Sequence, residues 1–250
     1  MVEVKKISEK NNQLKLLVSD TDATLVNSIR RAVLAEIPTL AIENVSFYEN
    51  SSIMPDEMLA HRLGMLPIKT ESKKLKEGEA IKFVLEKEGP GTVYSKDIKS
   101  TDPKTYIADK KIPLTKLKKD QKIKMEMDAI IGKGKDHAKW QPAVIGYRNI
   151  AEIAVGKECN LCKDCIEACP KKLLETKGKT IVLKDAAECD MCGECKDNCK
   201  AAQLKIKEKE NAFILMVEST QAMENSEILE AAINKLEEKT EEFRKALKDL

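Results

Sequence analysis

Glu158-Cys159-Asn160-Leu161-Cys162-Lys163-Asp164-Cys165-Ile166-Glu167-Ala168-Cys169-Pro170 is answered 30 residues later by Glu188-Cys189-Asp190-Met191-Cys192-Gly193-Glu194-Cys195-Lys196-Asp197-Asn198-Cys199-Lys200. Both stretches read Cys-x2-Cys-x2-Cys-x3-Cys, so the segment is an internal duplication. It holds all 8 cysteines of the chain. A disulfide framework usually spreads its cysteines along the chain, whereas confinement to one short segment reads as metal binding. Three thiolates spaced by two residues on a tight loop can reach three corners of one iron–sulfur cube, and the fourth cysteine, starting the next element, points away. Structural zinc is the competing reading, since four thiolates also hold zinc tetrahedrally. Zinc sites usually join two separated Cys-x2-Cys pairs and lack the third Cys-x2 step.

Across about 50 residues the segment resembles the two-cluster ferredoxins, in which the fourth cysteine of each run ligates the other cluster. The resemblance implies two [4Fe–4S] clusters. One would be held by Cys159, Cys162, Cys165 and Cys199, the other by Cys189, Cys192, Cys195 and Cys169. Pro170 follows Cys169 as the motif expects, but Lys200 follows Cys199. A [3Fe–4S] form or single occupancy is therefore left open at the site that borrows Cys199. Residues 157–200 carry nine Lys and nine acidic residues. Free ferredoxins commonly dock through an acidic face, and this neutral segment argues against a simple electron carrier.

Composition bounds the remainder. Of 250 residues, 34% are charged and 42% hydrophobic, with 44 Lys+Arg against 42 Asp+Glu. Such a chain is not a disordered polyion. Its longest aliphatic stretch lies near Phe213–Val217, far short of the roughly 20 apolar residues of a membrane span. Met1-Val2-Glu3-Val4-Lys5-Lys6 lacks the apolar core of a signal peptide. The expectation is a soluble cytoplasmic protein that does not engage membranes. Aromatic content of 4% points to several small units and not one large core.

Around the cysteines the chain is mixed α+β. Val2, Val4, Leu14, Leu16 and Val18 alternate about Asn11-Asn12, which predicts a hairpin. Asp22 caps a helix whose Leu25, Ile29, Val33 and Ile37 recur at every fourth residue, and Pro38 ends it. Asn27, Arg30 and Arg31 lie off that stripe. The Asp20-Thr21-Asp22 run reads as capping more readily than as a Mg²⁺ site. Asp56 is expected to cap a second short helix through Met58, Leu59 and Leu63, with a stop at Gly64 and Pro67. Ile123, Met125, Met127 and Ala129 alternate as a strand. The seven lysines of 110–124 read as a solvated face, and the run lacks aromatics for base stacking. Asn211–Glu218 reads as a strand. Leu229, Ile233, Leu236, Thr240, Phe243, Leu247 and Leu250 then step as a heptad seam suited to a partner helix.

Three stretches resemble the alpha-like subunits of cellular RNA polymerases: Asp20 to Arg31, Ala60-His61-Arg62-Leu63-Gly64-Met65-Leu66-Pro67-Ile68, and His137-Ala138-Lys139-Trp140-Gln141-Pro142. Joined to the cysteine segment, they resemble the archaeal, D-type branch of that family. The resemblance implies an α+β fold in three parts. A dimerisation domain would be built from 1–40 and 205–250, an inserted α+β domain from 41–155, and a ferredoxin-like domain from 156–204. It further implies pairing with subunit L, then contact with the large catalytic subunits and with small subunits N and P, DNA being met only through the complex. Asn27, Arg30 and Arg31 become an assembly contact. Leu229, Ile233, Leu236, Phe243 and Leu247 become the pairing seam.

The chain shows neither an aspartate triad for Mg²⁺, nor Gly-x4-Gly-Lys, nor Gly-x-Ser-x-Gly. It is thus expected to serve a nucleotidyltransferase without catalysing transfer. His61 and His137 read as hydrogen-bonded loop residues. The alternative class is a ferredoxin-type electron-transfer protein or oxidoreductase subunit. Such a protein would need none of the three polymerase-like stretches.

Overall fold

The computed structural model describes residues 2–69 and 78–248. Met1 and Leu250, named above, lie outside them. The chain opens with β1 (Glu3–Lys10), β2 (Gln13–Ser19), α1 (Ala23–Ala35), β3 (Pro38–Asn50) and α2 (Asp56–Gly64). Five strands follow: β4 (Ile81–Glu88), β5 (Gly91–Tyr94), β6 (Lys99–Ser100), β7 (Pro113–Leu117) and β8 (Lys122–Lys133). Then come β9 (Ala143–Val155), α3 (Asp164–Glu167), β10 (Leu174–Lys177), β11 (Thr180–Leu183), α4 (Glu194–Asp197), β12 (Leu204–Ser219) and α5 (Asn225–Lys248). By contacts the chain divides into two units. One is Met1–Ser8, Lys15–Asn27 and Gly146–Met216, the other Glu9–Leu14, Ser28–Ile145 and Val217–Leu250. Among the described residues no helix is long and apolar enough to cross a membrane.

The first unit is organised by a four-stranded sheet of order β1-β2-β12-β9. The hairpin turns at Asn11 and Asn12, with φ of 49° and 63°. Asparagine tolerates this left-handed region because its short polar side chain bonds locally. Ile150, Ala212 and Ile214 are buried together on the sheet, with Leu17, Met216, Ala186 and Ala187 packed against them. The chain leaves β9 and re-enters β12 side by side. The Gly156 N–H donates to the Gln203 carbonyl at 2.8 Å. A Cβ at Gly156 would sit 1.9 Å from Gln203 Oε1, so a larger residue there would push the Gln203 side chain aside. Everything between, all eight cysteines included, is an excursion from two adjacent strands.

In the second unit β3, β8, β4 and β6 form an antiparallel sheet in the order β3-β8-β4-β6. Alternation builds its core: Ile123, Met125, Met127 and Ala129 of β8 are at most 1% exposed. Met127 stands opposite Val45 on one side and Phe83 on the other. Leu59 and Leu63 of α2 join the same core. The His137–Pro142 stretch closes a corner. Trp140 is buried against Gly132, where a Cβ would meet the indole at 2.4 Å. The Thr39 hydroxyl donates to the Trp140 carbonyl at 2.6 Å. The Lys139 ammonium lies 4.5 Å from the centre of the Trp140 ring and pairs with Glu43.

Four expectations are corrected. Of the i+4 ladder, Val33 on α1 and Ile37 just past its end are buried as expected, while Leu25 is 39% exposed and Val26 and Ala32 are buried beside the ladder. Asp56 is the first helical residue of α2 and not its cap; Pro55 takes that position. The Asp56 carboxylate instead accepts from Asn50 Nδ2 at 2.6 Å. Met58 is exposed, not packed. The strand expected from Asn211 begins at Leu204, because polar alternation in 205–210 hides an exposed stretch of ladder. By contrast, Asp22 caps α1 as expected, its Oδ1 accepting the Leu25 N–H at 2.9 Å.

Candidate iron–sulfur centre

The duplication of the sequence is a duplication of backbone. Leu161 and Met191 have φ of 57° and 54°, Lys163 and Gly193 of 68° and 89°, Lys172 and Ala202 of 52° and 51°. Each pair is 30 residues apart. Two left-handed residues inside each cysteine run curl the loop tightly before a single helical turn, α3 or α4. The third cysteine lies inside that turn, and the fourth follows it. Cys165 and Cys195 are therefore buried, Cys159, Cys169, Cys189 and Cys199 half-buried, and Cys162 and Cys192 exposed. The β10–β11 hairpin, paired Leu174↔Leu183 to Lys177↔Thr180, links the two runs.

The thiols fall into two crossed groups. Burial pushes the Cys165 thiol up, and its neighbours Cys199, Cys162 and Cys159 push it further. Burial and then Cys169 raise Cys195 to about 11, with Cys189 and Cys192 adding to the effect. Each run thus takes its fourth neighbour from the other run. Cysteines bind metal as thiolates, so filling either group releases protons. All-sulfur donor sets of four suit iron–sulfur groups. Among the described residues no set of three or more His, Cys, Asp or Glu is placed to hold one metal ion.

The surroundings of the two groups differ. Around the first, Lys200 Nζ pairs with Asp164 at 2.8 Å, and this bond holds the Asp164 carboxyl below its usual range. Lys200, standing where the repeat has Pro170, is thereby tied to the opposite cysteine run. The Cys162 N–H donates to Asn160 Oδ1 at 3.3 Å. Around the second, the Leu173 N–H points at Cys169 Sγ at 3.4 Å. Lys171 donates to the Glu188 carbonyl at 2.8 Å and pairs with Asp190 at 2.5 Å. Arg148 donates to the carbonyls of Ala187 and Cys189 and to Asp190 Oδ1. Lys171 above all, then Arg148 and Lys15, hold the Asp190 carboxyl low. Sequence reasoning missed Arg148, Lys15 and Lys171. None carries a spacing that points to the second loop, and only the fold brings them to it.

The other expected site residues stand apart from the cysteines in the sequence. Asn27, Arg30 and Arg31 are spaced i, i+3 and i+4 on α1 and so share a face; Arg31 is exposed and the other two are half-buried. On α5 the buried residues are Asn225, Ile228 and Ala232. Leu229 and Leu236 are half-buried, while Ile233, Phe243 and Leu247 are 44%, 66% and 53% exposed. The chain's own packing uses the position before each of the first two seam residues and leaves the seam outward. His137 caps the turn at Ala138–Trp140, its Nδ1 accepting the Lys139 N–H at 3.1 Å. His61 is exposed in the last turn of α2.

Comparison with known proteins covers the same ground. Residues 42–151 match the family model of the RNA polymerase Rpb3/RpoA insert domain. Residues 152–208 match that of the 4Fe-4S dicluster domain. DNA-directed RNA polymerase subunit Rpo3 of Archaeoglobus fulgidus is 41% identical over 198 residues, 74% of this chain and 75% of the relative. The Rpo3 of Methanocaldococcus jannaschii is 56% identical over 126 residues, 50% of this chain and 64% of the relative. That of Methanosarcina acetivorans is 38% identical over 200 residues, 74% of each. With a mixed α+β fold, the insert domain and the cysteine segment all in place, the chain belongs to the archaeal Rpo3 family of DNA-directed RNA polymerase subunits.

Proposed function

We propose that this polymerase subunit is a non-catalytic assembly platform that pairs with subunit L and then receives the large catalytic subunits and small subunits N and P. The observation that carries the reading is the outward seam of α5. A 24-residue helix rises about 36 Å, yet its buried contacts end at Ala232. Ile233, Phe243 and Leu247 beyond that point continue a 3-4 spacing that a second helix would cover. Asn27, Arg30 and Arg31 offer a polar face suited to a large subunit. The working division is 1–40 with 205–250 for pairing, 41–155 as the insert, and 156–204 as the cluster domain, in a cytoplasmic enzyme that meets DNA through its other subunits.

The cysteine groups are read as holding two [4Fe–4S] clusters, on Cys159, Cys162, Cys165 and Cys199 and on Cys189, Cys192, Cys195 and Cys169. When bound, the clusters supply cross-links that a segment of about 50 residues lacks in apolar area. The protein's own part is to gather thiols, bury one of each run, and pair the loop carboxylates with lysine or arginine. Because pairing with L is assigned to the chain ends, cluster loss should impair recovery of whole polymerase more than formation of the heterodimer.

Co-expression with subunit L tests the reading. Phe243→Asp with Leu247→Asp should leave the lone chain folded and abolish the pair on size exclusion. Cys162→Ser with Cys192→Ser should keep the pair and reduce recovery of complete polymerase. A pair that survives the α5 change, or full polymerase yield from the cysteine variant, would count against it.

A further inference from the structure

We propose that Arg148 is a positioning residue that pins the second cysteine loop to strand β9. Filling of the second site, and not of its twin, then fixes the β2-β12-β9 sheet. The proposal rests on the cluster reading above. Four consecutive residues, Ala187 to Asp190, are held from outside the loop. The Arg148 guanidinium forks: Nη2 donates to the Ala187 carbonyl, while Nη1 donates to the Cys189 carbonyl and, at 3.3 Å, to Asp190 Oδ1. Lys15 on β2 pairs with the Glu188 carboxylate at 3.2 Å. Lys171 takes the Glu188 carbonyl and the other oxygen of Asp190. Beneath the loop, Ala186 and Ala187 pack on Ile150, Ala212 and Ile214.

The twin stretch, Lys157 to Asn160, has none of this. Its Cys159 N–H donates to the Gly156 carbonyl at 3.3 Å, and among the described residues no side-chain cation reaches its carbonyls. Two loops of one sequence pattern and one backbone therefore differ in what they are fastened to. Arg148 falls in the stretch matched by the insert-domain model, and its acceptors fall in the stretch matched by the dicluster model. Neither motif by itself reveals the link.

The physics runs both ways. A planar fork donating to two carbonyls fixes the loop's path before any metal arrives, so the second thiol group is preorganised. By linkage, a bound group that favours the fixed loop equally favours the sheet to which it is fixed. Arg148, Lys171 and Lys15 also place positive charge beside the second site. Asp190 and Glu188 offset two of the three charges, and the one left over favours the more reduced, more negative form of a cluster there.

The test uses the full-length chain purified without oxygen, with Arg148→Met, Arg148→Lys and the first-site variant Cys162→Ser with Cys165→Ser. Iron and sulfide are counted, release to a chelator is timed, the midpoint potential is followed by paramagnetic resonance, and amide exchange is read on β2 and β9. In the first-site variant, where only the second cluster remains, adding Arg148→Met should speed iron release by about tenfold or more and lower the potential. Arg148→Lys should restore the potential, which needs charge, and not the slow release, which needs the fork. Exchange on β2 and β9 should quicken when the second cluster is lost and stay unchanged when the first is lost. Unaltered release, potential and exchange in Arg148→Met, with both clusters present in the parent, would overturn this proposal alone, as would equal loosening of the sheet on loss of either cluster. A parent chain that takes up zinc and no iron would overturn the cluster reading and this proposal with it.

Discussion

Two neighbouring stretches of this chain reach order by different means. Among the described residues of the insert, 16 buried apolar side chains belong to one cluster, and Phe83, Leu85, Ile123 and Met125 are at most 1% exposed. In the 156–203 excursion and its exit the buried set is Cys165, Leu174, Ile181, Cys195 and Leu204, and two of the five are cysteines. Removing apolar surface from water scales with area, at roughly 25 cal/mol per Å². The insert can rest on that term. The excursion has far less of it: beyond that set it offers partly buried residues such as Leu161, Ile166 and Leu183, single helical turns, a short hairpin and ion pairs on the surface. Surface pairs contribute little. The difference teaches that one chain can carry a self-sufficient core and also a region that, on the cluster reading proposed above, takes its order conditionally from chemistry brought from outside.

The largest expected effect breaks the comparison at its conditional side. Stripping iron from the full-length chain should bring amide exchange in Leu174–Leu183 to the rate of unfolded chain, with Ile123–Ala129 still protected. Equal protection in both stretches after iron removal would mean that the excursion holds itself. Next comes the self-sufficient side. Phe83→Ala should destabilise the insert by about 3–5 kcal/mol, measured by denaturant unfolding, without loss of the visible absorbance of the clusters. Loss of absorbance in step with the insert would show the two regions to be one cooperative body.

The smallest effect asks how much the second unit draws from charge. Lys239 on α5 bonds to Glu36 at 2.6 Å, and that bond, ahead of opposing burial, holds the Glu36 carboxyl below its usual value of 4.5. A depressed carboxylate contributes stability that is fully present above its unfolded pKa and is lost as pH falls through the folded one. Glu36→Gln should therefore cost about 0.2–1 kcal/mol at pH 7, and the gap to the parent should close as the pH falls below about 4. A gap that persists there would assign the loss to packing.

What could be read from the sequence was what is local. Asn11-Asn12 between alternating apolar residues announces its turn, and Met125 and Met127 announce a buried strand. The cysteine spacing announces metal. What stayed hidden depends on where an element meets its neighbours. Leu25 fits the i+4 ladder as well as Val26 fits the observed face, and only the direction of packing decides between them. Pro55 displaced Asp56 from the cap because the fixed φ of proline suits entry to a helix. Arg148 sits in an ordinary alternating strand, about 40 residues from the carbonyls it holds. No spacing rule reaches that far.

The crossed grouping of thiols also sets a schedule. A chain made from its N-terminus exposes Cys159, Cys162 and Cys165 first, yet their fourth neighbour, Cys199, is the last cysteine to be added. The other group, Cys169 with Cys189, Cys192 and Cys195, is complete four residues earlier. On the cluster reading proposed above, the triplet that emerges first during synthesis waits with an open corner, and the later triplet closes ahead of it. The group whose loop Arg148 holds is the one whose four cysteines are all made first. Emergence of the chain thus orders the two sites in time as the arginine orders them in space.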